Sequence, residues 1–237
     1  MPDPLNWTVP FEKICLRATE IHVWRLNYLQ PTSRIQELKH ILSPDEKSRS
    51  ESFKFDKDRT EFVTTRTALR LLLGNYLSVD PDQIIFEYRR GKPLLADKAI
   101  HFSISHSGGL ALLAFTGSEV GVDIEFIRSV PNWADIAKTY FSKTEFSNLR
   151  EIHPENIDEA FFTCWTRKES YVKARGQGLQ ISLDSFDVSI APGSSFELHS
   201  ADSQDWSAYS LHPGAGYVGA LTVKGSGHHL KKWDWSE

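Results

Sequence analysis

Cysteine is scarce: Cys15 and Cys164 are the only two in 237 residues. They form no CxxC pair and no ligand spacing, which argues against a disulfide scaffold or a structural zinc site and fits a reducing compartment. Positive charge is not in excess either. With 27 Lys and Arg against 31 Asp and Glu, the net charge is −4. There is thus no global basic footprint for nucleic acid, and any anionic ligand must be held by a local cluster of donors. No apolar run approaches transmembrane length, and the opening MPDPLNWTVPFEK lacks the basic-then-apolar pattern of a signal peptide. The expectation is a soluble, cytoplasmic protein that binds neither nucleic acid nor membrane. A P-loop, an HExxH pair, a Rossmann glycine pattern and a nucleophile elbow are all missing too, which removes several enzyme classes.

What is present is ordinary globular composition, 40% hydrophobic and 24% charged, on a chain long enough for a sizeable core. Residues 18–29 alternate, Ile21 and Val23 against His22 and Trp24, and read as an early strand. Ser43, Pro44 and Glu46 make a capping box for a helix start. A long helix is predicted over 57–77, with Phe62, Leu69, Leu72, Leu73 and Tyr76 inward and Lys57, Arg59, Arg66 and Arg70 supplying positive charge. RRGKPLL is a turn around Gly91 and Pro93. HFSISHSGGLALLAF reads as strand, Gly-Gly turn, strand, and VGVDIEFI as another strand. Helical pattern returns over 132–150 and 157–175, where Asn156 with Glu159 would cap the start and Gly176 the end. The last third is β-like, apart from the tail GSGHHLKKWDWSE, which reads as loop or packing residues.

SISHSGGLALLAF at 103–115 and YSLHPGAGYVGAL at 209–221 share a serine just before His-x-Gly, running into a small-and-apolar strand. The echo suggests an α+β fold of two similar α/β halves related by a pseudo-twofold, residues 1–117 and 118–237, with the active site at their junction. No low-complexity linker separates them, so they should pack closely.

Two places carry chemistry. In GVDIE the alternation of a strand puts Asp123 and Glu125 on one face, roughly 6.6 Å apart at Cα. A wet sheet face would leave both solvated. A hard divalent ion, Mg²⁺ or Mn²⁺, would use both, because oxygen-only donors suit it. In WTRKESYVK the residues Trp165, Glu169 and Lys173 follow one another at i, i+4 along a helix whose apolar face holds Phe161, Cys164 and Val172. A carboxylate bordering a core must be paired or metal-bound; Lys173 is its nearest partner on the helix. Lys92 beside a turn, and Ser105 and His106 before two glycines, are candidate anion donors.

Taken in order, Gly91-Lys92-Pro93, Phe102 through Ser107, Gly121 through Glu125 and Trp165 through Lys173 resemble the 4′-phosphopantetheinyl transferase superfamily. The monomeric, double-length type that activates peptide and polyketide synthases is the nearest fit. The resemblance implies transfer of the phosphopantetheine arm of coenzyme A to a serine of an apo carrier protein, leaving adenosine 3′,5′-bisphosphate. By position it implies metal binding by Asp123, Glu125 and Glu169, with Glu169 also the proposed base, and catalysis by Glu169 and Lys173. Coenzyme A contacts are implied for Lys173, Lys92, Ser105, His106 and Arg49, and more loosely for Lys57 and Arg90. Residues 128–150 are the expected carrier-facing stretch. A carboxylate-metal phosphohydrolase would need the same acidic cluster without a carrier surface, and an inactive α+β binding module would keep the carboxylates only as surface groups.

Overall fold

Residues 20–24 and Leu26 are buried: Ile21 and Val23 enter one apolar cluster, Trp24 and Leu26 another. A strand with two buried faces must lie inside a layered molecule. The computed structural model describes residues 7–10, 14–28, 39–89, 91–96, 99–176 and 180–235. Its elements are β1 (Glu20–Asn27), α1 (Pro44–Ser52), α2 (Asp56–Leu77), β2 (Phe86–Arg89), β3 (Lys92–Leu95), β4 (His101–Ser107), β5 (Leu110–Thr116) and β6 (Val120–Phe126). These are followed by α3 (Trp133–Tyr140), α4 (Lys143–Glu151), α5 (Ile157–Arg175), β7 (Asp187–Val188), β8 (Leu198–His199), β9 (Trp206–Leu211), β10 (Tyr217–Lys224) and β11 (His229–Asp234).

The fold is mixed α and β, and one connectivity occurs twice. In the first sheet, ordered β11-β1-β5-β4, β1 pairs antiparallel with β5 and β5 with β4. In the second, ordered β6-β10-β9, β6 pairs antiparallel with β10 and β10 with β9. Each sheet is a strand, then helices, then a hairpin whose second strand returns beside the first. The repeated His-x-Gly segments fall on the equivalent hairpins β4–β5 and β9–β10.

Three clusters set the layer order. Ala68, Leu69, Leu72 and Leu73 of α2 cover one face of β1 and β5. Ile21, Val23, Leu112 and Ala114 meet Val122, Ile124, Leu221 and Val223 between the sheets. Phe161, Cys164 and Val172 of α5 pack with Ala220 of β10 and with Phe141 and Leu149. Each Val, Leu, Ile or Phe among them, fully buried, contributes about 1.5–3 kcal/mol by leaving water.

Several expectations change here. Arg66 and Arg70 are buried, at 7% and 2% exposed, and do not supply surface charge. Both grip Glu46, Arg70 Nε at 2.7 Å and Arg66 Nε at 3.4 Å, so the capping-box residue of α1 also anchors α2. A long helix with arginines on its inner side needs such a partner, since an unpaired buried charge is too costly. The stretch 132–150 is two helices, because Ser142 and Glu145 form a second capping box and restart the helix. Asn156 makes no side-chain cap; the 3₁₀ turn Pro154–Asn156 leads into α5 instead. Within RRGKPLL, Arg89 ends β2 and Lys92–Leu95 is β3, paired antiparallel with it; Gly91, at φ 77°, is the turn residue described between them. Within the tail His229–Asp234 is a strand: β11 runs parallel to β1, and Lys231 Nζ lies 2.7 Å from Glu20 Oε1 across that pairing.

Candidate active site

Gly121 decides how closely α5 approaches β6. A Cβ there would stand 2.0 Å from the carbonyl oxygen of Ser170 and 2.4 Å from the backbone nitrogen of Ala174, so only glycine allows the helix to lie against the strand. Ser170 Oγ and Thr222 Oγ1, 2.9 Å apart, fix α5 to the neighbouring β10. At its outer side Lys168 Nζ contacts Glu145 Oε2 at 2.8 Å and donates to the carbonyls of Leu183 and Phe186, both at 2.6 Å. That fills the three donors of an ammonium and explains how a fully buried lysine is tolerated. Gly176 ends the helix in a left-handed conformation, φ 65°, just past Lys173 and Arg175.

With the helix so placed, Lys173 reaches Asp123, two residues beyond Gly121 on the same strand face. Lys173 Nζ donates to Asp123 Oδ1 at 2.7 Å and to the carbonyl of Val122 at 3.1 Å. Ser105 Oγ donates to the same Oδ1 at 2.7 Å. The other oxygen, Oδ2, is buried with no hydrogen-bond partner among the described residues. Burial pushes the Asp123 carboxyl above the ordinary range, and the Lys173 charge, its hydrogen bond and that of Ser105 oppose the rise. Glu169 is raised too, first by desolvation and then by the charge of Asp123, with Lys173 and Lys92 acting against both. Lys92, at the start of β3, is lowered first by desolvation and then by Lys173, while Glu169 and Asp123 oppose the fall. Two ammonium groups and two carboxylates, drawn from β3, β6 and α5, therefore share one electrostatic environment.

Three serines of β4 border this cluster. Ser103 Oγ accepts from the Val122 N–H at 3.0 Å, Ser105 holds Asp123, and Ser107 Oγ donates to Glu125 Oε2 at 2.7 Å while accepting from the Phe126 N–H at 3.1 Å. Their spacing, S-x-S-x-S, puts all three on one strand face, a signal present in the sequence and overlooked there. A half-buried carboxylate with raised proton affinity, beside two ammoniums, suits abstraction of a hydroxyl proton next to a phosphate.

A model of the 4′-phosphopantetheinyl transferase superfamily matches residues 119–222, and one of the N-terminal part of 4′-phosphopantetheinyl transferases matches residues 29–118. Across 99% of its length the chain is 36% identical to the 4′-phosphopantetheinyl transferase HetI of Nostoc sp., covering 98% of that protein. The chain belongs to the 4′-phosphopantetheinyl transferase family. It is also 31% identical to the 4′-phosphopantetheinyl transferase Sfp of Bacillus subtilis, over 73% of this chain and 79% of Sfp. With AcpT of Escherichia coli the identity is 38%, over 58% of this chain and 78% of AcpT.

Within this family member, the residues singled out by sequence divide into two groups. Asp123, Glu169, Lys173 and Lys92 come together, and Glu125 follows Asp123 on β6. Lys173 bonds Asp123 and not its helix neighbour Glu169, because β6 offers a buried carboxylate where the helix surface offers a partly solvated one. Ser105 is buried with its hydroxyl on Asp123, whereas His106 is exposed beside the Gly108–Gly109 turn. Arg49 and Lys57 are exposed on the helices of the first half: the Arg49 guanidinium lies 5.4 Å from the Phe62 ring, and Lys57 sits 3.9 Å from Glu61. Arg90 lies outside the described residues. No group of three His, Cys, Asp or Glu side chains among the described residues is arranged to enclose an ion. Lys173 already occupies one oxygen of Asp123. Likewise, no described helix is long and apolar enough to cross a membrane.

Proposed function

We propose that this chain moves the 4′-phosphopantetheine arm of coenzyme A onto a serine of an apo acyl or peptidyl carrier protein, releasing adenosine 3′,5′-bisphosphate. The observation that carries the reading is the shared environment of Asp123, Glu169, Lys173 and Lys92, in a chain that aligns with a 4′-phosphopantetheinyl transferase over nearly its whole length.

In this reading the carrier hydroxyl loses its proton to a Glu169 oxygen as its own oxygen bonds to the pantetheine-side phosphorus. The phosphorus–oxygen bond to the bisphosphate breaks, and the leaving oxygen keeps the electron pair. Lys173 and Lys92 offset charge on the phosphates. The remaining expected coenzyme A contacts are Ser105 and His106, together with Arg49, Lys57 and Arg90. The donor set suits a hard divalent cation: Asp123 Oδ2 is a buried acceptor in want of a partner, and Glu125 and Glu169 add further carboxylate oxygens. When bound by Asp123, Glu125 and Glu169, Mg²⁺ or Mn²⁺ would supply charge neutralisation at the diphosphate.

The reading takes residues 1–117 and 118–237 as pseudo-twofold halves with the site between them. It further takes the enzyme to be a cytoplasmic monomer whose carrier-facing stretch is 128–150. Carrier loading tests it. Incubated with Mg²⁺, coenzyme A and an apo carrier panel, the protein should add about 340 Da, the mass of the transferred arm, to at least one carrier. Phosphate release from small esters without any carrier loading would favour a phosphohydrolase instead.

A further inference from the structure

Both strand carboxylates are held in the same manner. Asp123 Oδ1 accepts from Ser105 Oγ and Lys173 Nζ; Glu125 Oε2 accepts from Ser107 Oγ at 2.7 Å and from Arg128 Nη1 at 3.1 Å. Each thus has one oxygen engaged by a β4 serine and by a cation from the following part of the chain. β4 and β6 belong to different sheets, and no backbone ladder joins them among the described residues. A row of β4 hydroxyls ties the two strands at the site.

The three hydroxyls do different work. Among the described residues, Ser103 meets a backbone N–H, that of Val122, and no carboxylate. Ser107 is tied on both sides. A hydroxyl has one proton, so taking the Phe126 N–H on its lone pair leaves that proton for Glu125, and the bond has a fixed direction. Arg128 is the other donor to Glu125, but its side chain is 56% exposed, and a solvated ion pair orients its partner weakly.

We propose that Ser107 is a positioning residue for Glu125, fixing the carboxylate in the orientation in which it serves the divalent cation; the inference rests on the cation reading given above. Groups that orient a metal's carboxylate ligands typically change metal affinity by roughly 10- to 100-fold when removed.

The test uses the full chain with coenzyme A present and Mn²⁺ as the probe. Free Mn²⁺ is followed by electron paramagnetic resonance against a protein-free control, thermal unfolding is measured in parallel, and carrier loading is titrated with Mg²⁺. Ser107→Ala should weaken Mn²⁺ binding about tenfold or more and raise the KM for Mg²⁺ far more than it lowers kcat. Ser107→Thr, which keeps the hydroxyl, should restore both. Ser103→Ala should lower the Tm and leave Mn²⁺ affinity unchanged. Wild-type affinity in Ser107→Ala would overturn the inference alone, as would an equal loss in Ser103→Ala, which would make the row merely structural. A wild-type chain that takes up no Mn²⁺ would overturn the cation reading and this inference with it.

Discussion

Lys173 Nζ lies 2.7 Å from Asp123 Oδ1, joining the last turn of α5 to the middle of β6. Asp123 is only 5% exposed, and burial raises its proton affinity; the ammonium opposes that rise. The same contact draws Lys173 away from Glu169, one turn earlier on the helix. Glu169 is left half-buried, without an ion pair among the described residues, and with a raised proton affinity. A carboxylate in that state accepts a proton more readily than a solvated one.

Glu169→Gln keeps the shape and removes the proton acceptor. Its kcat for carrier loading should fall by at least about 10²-fold, the usual contribution of a positioned base. Coenzyme A binding, measured by calorimetry, should persist. Turnover near the wild-type rate would take Glu169 out of the mechanism.

The sequence made legible what local periodicity controls. The bounds of α5 followed from its apolar spacing and from Gly176, and the β4–β5 hairpin from the Gly-Gly turn. What stayed hidden was settled by partners far along the chain. Arg70 reads as a surface charge until Glu46, 24 positions earlier, is folded against it. The strand character of 229–234 depends on β1, at the opposite end of the chain. In the site, the carboxylates were visible as D-x-E and as a helical stripe, whereas the choice of Asp123 over Glu169 as the partner of Lys173 required the approach of helix to strand that Gly121 permits.

That approach gives a second prediction. In Gly121→Ala the new methyl meets backbone atoms of Ser170 and Ala174, which cannot rotate aside, so α5 must withdraw from β6. Overpacking of this kind costs roughly 1–3 kcal/mol and would separate Lys173 from Asp123. Urea unfolding should show the loss of stability, and carrier loading should fall further than the unfolded fraction explains. A variant as stable and active as wild type would mean that the helix is not held at this distance.

In the proposed mechanism Lys92 grips phosphate charge away from the attacking oxygen. Lys92→Ala should therefore raise the KM for coenzyme A about tenfold or more, in line with the roughly 1.5–3 kcal/mol of a charged hydrogen bond, while kcat falls by less. The converse, a large loss in kcat at unchanged KM, would move Lys92 to the reacting phosphorus.

The last prediction concerns acid stability, away from the site. Glu20 is buried on β1, and burial alone would raise its carboxyl. Hydrogen bonds from Lys231 and His22 and from the Arg17 N–H outweigh that and hold it down at about 2, against an ordinary value of 4.5. His22, wholly buried, has its own pKa lowered by desolvation and is neutral near pH 7. Its Nε2, 3.0 Å from the Glu20 carboxylate, must carry the proton, and its Nδ1 then accepts from the Tyr76 hydroxyl at 2.9 Å. Because the folded pKa is the lower one, the stability contributed by ionised Glu20 is fully present above about pH 4.5 and is lost as the pH falls toward 2. The Tm of Glu20→Gln should therefore lie below that of wild type near pH 7, and the gap should close through that window. A gap that stays constant down to pH 2 would show that the carboxylate's charge contributes nothing to holding β11 against β1.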